Sequence, residues 1–416
     1  MASICFYFQV HQPFRIRKYG VFDVGNSDYF NDDSETDLNN CRILKKVASK
    51  CYLPANAVLK NVLETNPDFK ASFSFSGVFL EQCAIYAPEV LESFSDLIKT
   101  GRVEVMSETY YHSLAALYSQ KEFEKQVKLH SEAVKEIFNV SPTVFRNTEL
   151  IYSNDIAREV QRMGFKAILA EGADHILEWR SPNFLYRPAE IDNLVLLLKN
   201  YRLSDDVAFR FGERSWKEYP LTAEKFAQWV SAYNGAGEII NLFMDYETFG
   251  EHQWEDTGIF EFMRHFPSEF LKHPDNNFVT PSEAVERYEV VGEIEAPNYV
   301  SWADVERDIS AWRSNEIQHD ALRCVYELER DVVELDDHEI THTWRKLQTS
   351  DHFYYMCTKW FQDGDVHKYF NPYDSPYEAF IAFSNVVNDL KLRIDKRKKE
   401  KKSLKRKGEG SLFREK

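Results

Sequence analysis

The feature that most constrains this chain is a regular beat of short apolar segments over its first 245 residues, each separated from the next by a longer stretch of helical character. SICFYFQV (3–10), ASFSF (71–75), VEVMS (103–107), TVFRN (143–147), KAILA (166–170), LVLLL (194–198) and IINLFM (239–244) read as seven strands. Between them, residues 119–138 place Phe123, Val127, Val134 and Ile137 at near-helical spacing, and residues 155–163 follow two candidate caps, Ser153 and Asn154. Strands alternating with helices demand a parallel sheet, because a parallel crossover needs a helix to cover the sheet. Seven such units suit an α/β barrel, and 416 residues leave room for a second, smaller domain.

The beat stops near residue 290. Segments 304–312, 316–333, 337–347 and 376–392 read as helices, so we expect a catalytic barrel over 1–290 and an α-helical domain over 291–395. Residues 391–416 hold 13 of the 51 Lys and Arg and 4 of the 67 Asp and Glu, and a block this basic predicts a disordered tail over 396–416. With residues 391–416 set aside the rest of the chain carries −25, which repels polyanions and argues against nucleic acid as a partner. No apolar run approaches the roughly 20 residues that span a bilayer, and no leader pattern opens the chain. Six scattered cysteines without a CxxC pair suit reduced thiols, so we expect a cytoplasmic protein without a membrane partner. The segment 19–40, rich in Asp, Asn and Ser, reads as a long loop after the first strand.

Barrel chemistry comes from the C-terminal ends of the strands, so the residues directly after each strand matter most. Strand one runs into His11-Gln12-Pro13, strand three into Glu108 and Tyr110-Tyr111-His112, strand four into Thr148-Glu149, and strand seven into Asp245-Tyr246-Glu247. Breaking a glycosidic bond takes one carboxyl group to protonate the departing oxygen and a second carboxylate to attack or to activate water. Glu149 and Asp245 could form such a pair, although acids at strand ends are also common as helix caps. Residue alternation puts Asp245 and Glu247 on one face of the strand, and either could be the acid.

The strings HQP (11–13), GRVEVMSETYYHSL (101–114), FRNTELIYSN (145–154), MDYETFGEH (244–252) and SWADVERDISAW (301–312) resemble, in order, the five signature regions of glycoside hydrolase family 57. The resemblance implies a distorted seven-stranded (β/α)7 barrel followed by a helical domain. It implies a retaining hydrolase of the α-amylase type that acts on α-1,4-glucans such as starch, glycogen or maltooligosaccharides, without cofactor or metal. It assigns Glu149 as nucleophile and Asp245 as general acid/base, and gives His11, Glu104, His112, Glu247, Trp302 and Asp304 to substrate binding. The pair should stand roughly 5 to 6 Å apart, as in retaining enzymes. One departure is that the third region of that family commonly carries a tryptophan near the glutamate, where this chain has Phe145 and Tyr152.

Alternatives on the same residues are a 4-α-glucanotransferase, a glucan branching enzyme, or a protein that holds glucan without cutting it. Trp216, Trp254 and Trp302 are candidate sugar-stacking surfaces. His338-Glu339-Ile340-Thr341-His342 fits HExxH but lacks a third ligand, and a metal-dependent deacetylase would need paired aspartates and a His pair in the barrel half.

Overall fold

The computed structural model describes residues 3–34, 36–359 and 366–412, and divides into two compact units. The first comprises 1–12, 41–112 and 120–309, the second 13–40, 113–119 and 310–416.

Ten strands lie in the first unit: β1 (Ser3–Val10), β2 (Ala71–Phe75), β3 (Val103–Val105), β4 (Val144–Arg146), β5 (Ala167–Glu171), β6 (Leu185–Pro188), β7 (Val195–Lys199), β8 (Ile239–Asp245), β9 (Asn277–Phe278) and β10 (Val290–Ile294). Each segment that the sequence marks as a strand carries one. β1 pairs in parallel with β2, β8 and β9, and β2 with β3. A second set runs in the order β10-β6-β7-β5-β4 and is parallel except where β6 meets β7. The first set meets the second at both of its own edges, β3 against β4 and β8 against β7. Ser107 bridges Phe145 between β3 and β4, and the Asn200 amide donates to the Asn241 carbonyl (2.9 Å) just after β7. The sheet thus curls on itself into an α/β barrel-like fold.

Every residue of β1 is buried, as expected of a strand covered on both faces. Alternation sorts its side chains. Ile4, Phe6, Phe8 and Val10 join one large apolar cluster with helical residues such as Val58, Leu59, Val62, Phe262 and Phe266. Cys5 and Tyr7 join a smaller cluster with Met106, Leu169, Leu197 and Phe243. Between the strands, Ser76, Ser153, Thr222 and Thr280 each cap a helix by accepting the N–H three residues on. β6, β9 and β10 escape the sequence pattern: β9 has only two residues, β6 runs into a proline, and β10, VVGEI, is mostly exposed and lacks an apolar run.

Apart from the 3-10 turns Val21–Asp23 and Ala115–Leu117 and an isolated bridge between Ser113 and Thr349, the described secondary structure of the second unit is α-helical, including Glu316–Glu327, Glu329–Leu335, His338–Lys346, Ser350–Tyr354, Val366–Phe370 and Pro376–Leu412. Trp312, Trp344, Phe353, Phe383 and Leu390 are buried in it, and the Trp344 indole N–H donates to the Val325 carbonyl (2.7 Å). The loop 19–40 belongs to this unit, tied down by Asp389, which accepts from Tyr19 Oη (2.7 Å), Tyr29 Oη (3.1 Å) and the Gly25 amide (3.0 Å).

Two readings need correction. Residues 304–312 form turns and not a helix, with Asp304 and Arg307 at φ 54° and 55°. The basic tail is helical as far as Leu412. Its first turn there is held by the helix Glu329–Leu335: Lys398 pairs with Asp331 (2.7 Å), and Lys401 Nζ donates to the Leu335 carbonyl (2.7 Å). Residues 413–416 lie outside the described residues. Among the described residues no helix is long and apolar enough to cross a membrane.

Candidate active site

The chain leaves β4 through a 3-10 turn, Thr148–Leu150, in which Glu149 and Leu150 both take positive φ (55° and 51°). Such a conformation is costly for residues with a Cβ and persists only where neighbours enforce it. Here the neighbour is the segment 300–302. Val300 and Tyr152 exchange two backbone hydrogen bonds of 2.9 Å, and Ser301 Oγ donates to the Glu149 carbonyl (2.9 Å). The Glu149 carboxylate is then held at both oxygens. His112 Nε2 donates to Oε1 (2.8 Å) and the Trp302 indole N–H to Oε2 (2.7 Å).

His112 has no exposed surface, and its other ring nitrogen meets Glu108 Oε2 at 2.9 Å. Burial alone would strip its proton. The two carboxylates outweigh burial and raise its pKa to about 9, so it is an imidazolium at neutral pH. Glu108 is buried too, yet His112 and Arg146 hold its pKa down at about 2. The His11 ring stacks on His112 with centroids 3.9 Å apart, and its Nδ1 lies 2.6 Å from Ser76 Oγ. Arg146, the last residue of β4, is fully buried, with Nη1 3.5 Å from Glu108. Burial also works to raise the pKa of Glu149, but His112, Arg146 and the Trp302 N–H together leave it below the usual value.

The end of β8 is the opposite case. Asp245 has its pKa raised to about 7, by burial first and by the charge of Glu149 second, with Arg146, Lys199 and His112 only partly compensating. Glu247 lies in the next turn, Tyr246–Thr248, and accepts from Tyr52 Oη and the His11 amide (3.4 Å). Burial and then the charge of Asp245 push its pKa up to about 8. Glu149, like Glu108 behind His112, is thus kept ionised, while Asp245 and Glu247 are inclined to keep a proton, the division of labour that glycoside cleavage requires.

The profile of glycosyl hydrolase family 57 matches residues 5–297. The chain belongs to that family. A protein of Methanocaldococcus jannaschii assigned as an alpha-amylase is 43% identical over 402 residues, which are 94% of this chain and 84% of the relative. This chain is therefore a glycoside hydrolase. Among solved structures, a family 57 branching enzyme of Thermococcus kodakaraensis matches with a TM-score of 0.68 at 14% identity, over 89% of this chain and 87% of that one. The 4-alpha-glucanotransferase of Thermococcus litoralis matches at 0.62 and 15%, over 85% of this chain and 56% of the other. At such identities these two establish the fold alone.

Of the residues expected at the site, His11, His112, Glu149, Glu247 and Trp302 are linked by the contacts above, Asp245 is coupled to Glu149 and Glu247 through charge, and Asp304 lies in the turn just after Trp302. Glu104 does not join them. Its strand partners run Ser72, Tyr7 and Phe243, which puts it level with a residue two positions before Asp245, roughly 7 Å down the barrel. There it accepts from the Ser282 amide (3.0 Å) and from Ser282 Oγ, at the N-terminus of the helix Pro281–Arg287, so a capping role replaces the expected sugar contact.

Several residues of the site escaped the sequence reading: Arg146, Glu171, Lys199, Asp205, Arg307 and Tyr52. Three carried a readable signal, since Arg146, Glu171 and Lys199 are each the lone charge at the end of an otherwise apolar strand. Of the stacking candidates, Trp254 is 56% exposed, whereas Trp216 packs edge-on against Trp229. No group of three or more His, Cys, Asp or Glu among the described residues could hold a metal. The HExxH-like run lies on the helix His338–Lys346, where Glu339 pairs with Arg393.

Proposed function

We propose that the protein cleaves α-1,4-glucans such as starch, glycogen or maltooligosaccharides with retention of configuration, using Glu149 as nucleophile and Asp245 as general acid/base. The observation that carries this reading is the opposed proton affinity of two carboxyl groups on one rim. Glu149, ionised and gripped at both oxygens, attacks the anomeric carbon. Asp245 gives its proton to the departing glycosidic oxygen, so the bond breaks as the glycosyl ester forms. The Asp245 carboxylate then takes a proton from water, whose oxygen attacks the same carbon and frees Glu149. Asp245 is preferred to Glu247 because the charge of Glu149 acts on it directly, whereas Glu247 feels Asp245 and is bonded to Tyr52. We read the curled sheet as a distorted seven-stranded barrel, the second unit as an appended helical domain, and the six free thiols as suited to the cytoplasm.

The test is time-resolved NMR of the products from a maltooligosaccharide of defined length. Retention predicts that the α-anomer appears first; the β-anomer first would overturn the mechanism. Only shorter products mean hydrolysis. Longer ones formed alongside them would make the enzyme a glucanotransferase, in which a sugar hydroxyl replaces water in the second step.

A further inference from the structure

Trp302 does more than border the cleft. Its N–H is committed to Glu149 Oε2, its backbone amide lies 3.3 Å from the Glu149 carbonyl, and two cations sit over its ring: Arg146 and Lys199, each 5.3 Å from the centroid. This chain lacks a tryptophan beside its glutamate in the third signature region. The fifth region supplies one from 153 residues away.

What fixes Trp302 is Arg307. One nitrogen, Nη1, donates both to the Trp302 carbonyl (3.2 Å) and to Glu171 Oε2 (2.8 Å), while Nη2 donates to Asp205 Oδ2 (3.1 Å). Glu171 is buried at the end of β5, and Asp205 also binds Lys199 (3.1 Å) at the end of β7. Arg307 itself sits in a left-handed turn. A planar, forked cation suits this task, because it can hold two carboxylates and a carbonyl in fixed directions where an ammonium cannot.

We propose that Arg307 is a positioning residue: anchored on Glu171 and Asp205, it fixes the Trp302 backbone so that the indole N–H aims the Glu149 carboxylate at the anomeric carbon. The inference rests on Glu149 being the nucleophile. It makes Trp302 a donor to the nucleophile in place of the sugar platform expected from the sequence.

The test uses 5-fluoro-α-D-glucosyl fluoride, with which the nucleophile forms a slow-turning ester as fluoride leaves, together with steady-state kinetics on maltooligosaccharides. In R307K the two carboxylates keep a cation but the Trp302 carbonyl loses its donor. Labelling of Glu149 and kcat should fall together by ~10- to 10²-fold, as small misplacements of a reacting group do, with KM nearly unchanged. W302F should act in the same direction. In both variants the acidic limb of the kcat/KM profile should move to higher pH, because a donor that favours ionised Glu149 is weakened while His112, Arg146 and Asp245 still face it. The double variant should be no slower than W302F alone, since both changes break one link. D205N, which removes one anchor, gives a milder loss and serves if R307K does not fold.

Labelling of wild type at a residue other than Glu149 would sink the functional reading. Labelling of Glu149 at equal rates in wild type, R307K and W302F would sink this inference alone. Multiplying effects in the double variant would also overturn it, because Arg307 would then act by another route.

Discussion

The ends of β4 and β8 present the same functional group in opposite states. At β4, Glu149 is surrounded by donors and positive charge: the imidazolium of His112, the Arg146 guanidinium and the Trp302 N–H. At β8, Asp245 meets burial and the charge of Glu149, and its neighbour Glu247 meets a tyrosine hydroxyl and the charge of Asp245. Neither carboxyl group is special in itself. Each takes its state from what the other strands bring to it, and the two are coupled, since the charge of ionised Glu149 adds to burial in keeping the proton on Asp245.

The strongest way to break the contrast is to neutralise the β4 end. Glu149→Gln keeps the shape of the side chain but cannot form the ester, so kcat should drop at least ~10³-fold while glucan binding persists. A variant that retains a tenth of wild-type turnover would refute the assignment of the nucleophile.

The β8 end can be read through pH. Asp245 works as an acid only while protonated, so kcat/KM should fall on the alkaline side with a midpoint near 7, the pKa that burial and Glu149 give it. A profile flat to pH 9 would contradict that role, as would an unchanged alkaline limb in Asp245→Asn.

A subtler effect concerns stability. A carboxyl group whose pKa is raised in the folded state costs stability once it must ionise. The cost is absent below its unfolded pKa near 3.9, builds up to about 7 and stays constant above. Asp245→Asn removes it, so the variant should melt at least ~2 °C higher than wild type at pH 8, with no gain at pH 3. Equal melting temperatures at pH 8 would show that Asp245 is not penalised by its surroundings.

The smallest effect is expected at Glu104, which belongs to neither end. Glu104→Gln should leave kcat/KM within about twofold of wild type, measurable by steady-state kinetics on maltooligosaccharides. A large rise in KM instead would return Glu104 to the substrate.

The contrast between legible and hidden features runs along similar lines. Strand segments were legible because a strand covered on both faces must be apolar throughout, and SICFYFQV or LVLLL can hardly be anything else. Glu149 and Asp245 stood out as strand-end acids, but only the family resemblance chose Asp245 over Glu247. Periodicity fails there, because the chain turns into a 3-10 helix directly after Asp245. The place of Glu104 was hidden since a motif gives order along the chain and not depth in the barrel; its partner Ser282 is 178 residues away. Residues 304–312 have helical composition, yet their anchoring through Arg307 bends them into left-handed turns. Helical propensity is worth tenths of a kcal/mol per residue, and buried charge contacts outweigh it.

The Asp389 carboxylate, which gathers Tyr19, Gly25 and Tyr29, has a consequence for how the protein is made. These partners are separated by 360 to 370 residues, so the loop cannot be secured until that many further residues have been made. At roughly 5 to 20 residues per second, that wait lasts on the order of 20 to 70 seconds. Through that interval Tyr19 and Tyr29 lack the carboxylate that anchors them, and the second unit closes last, when the helix bearing Asp389 reaches back to the beginning of the chain.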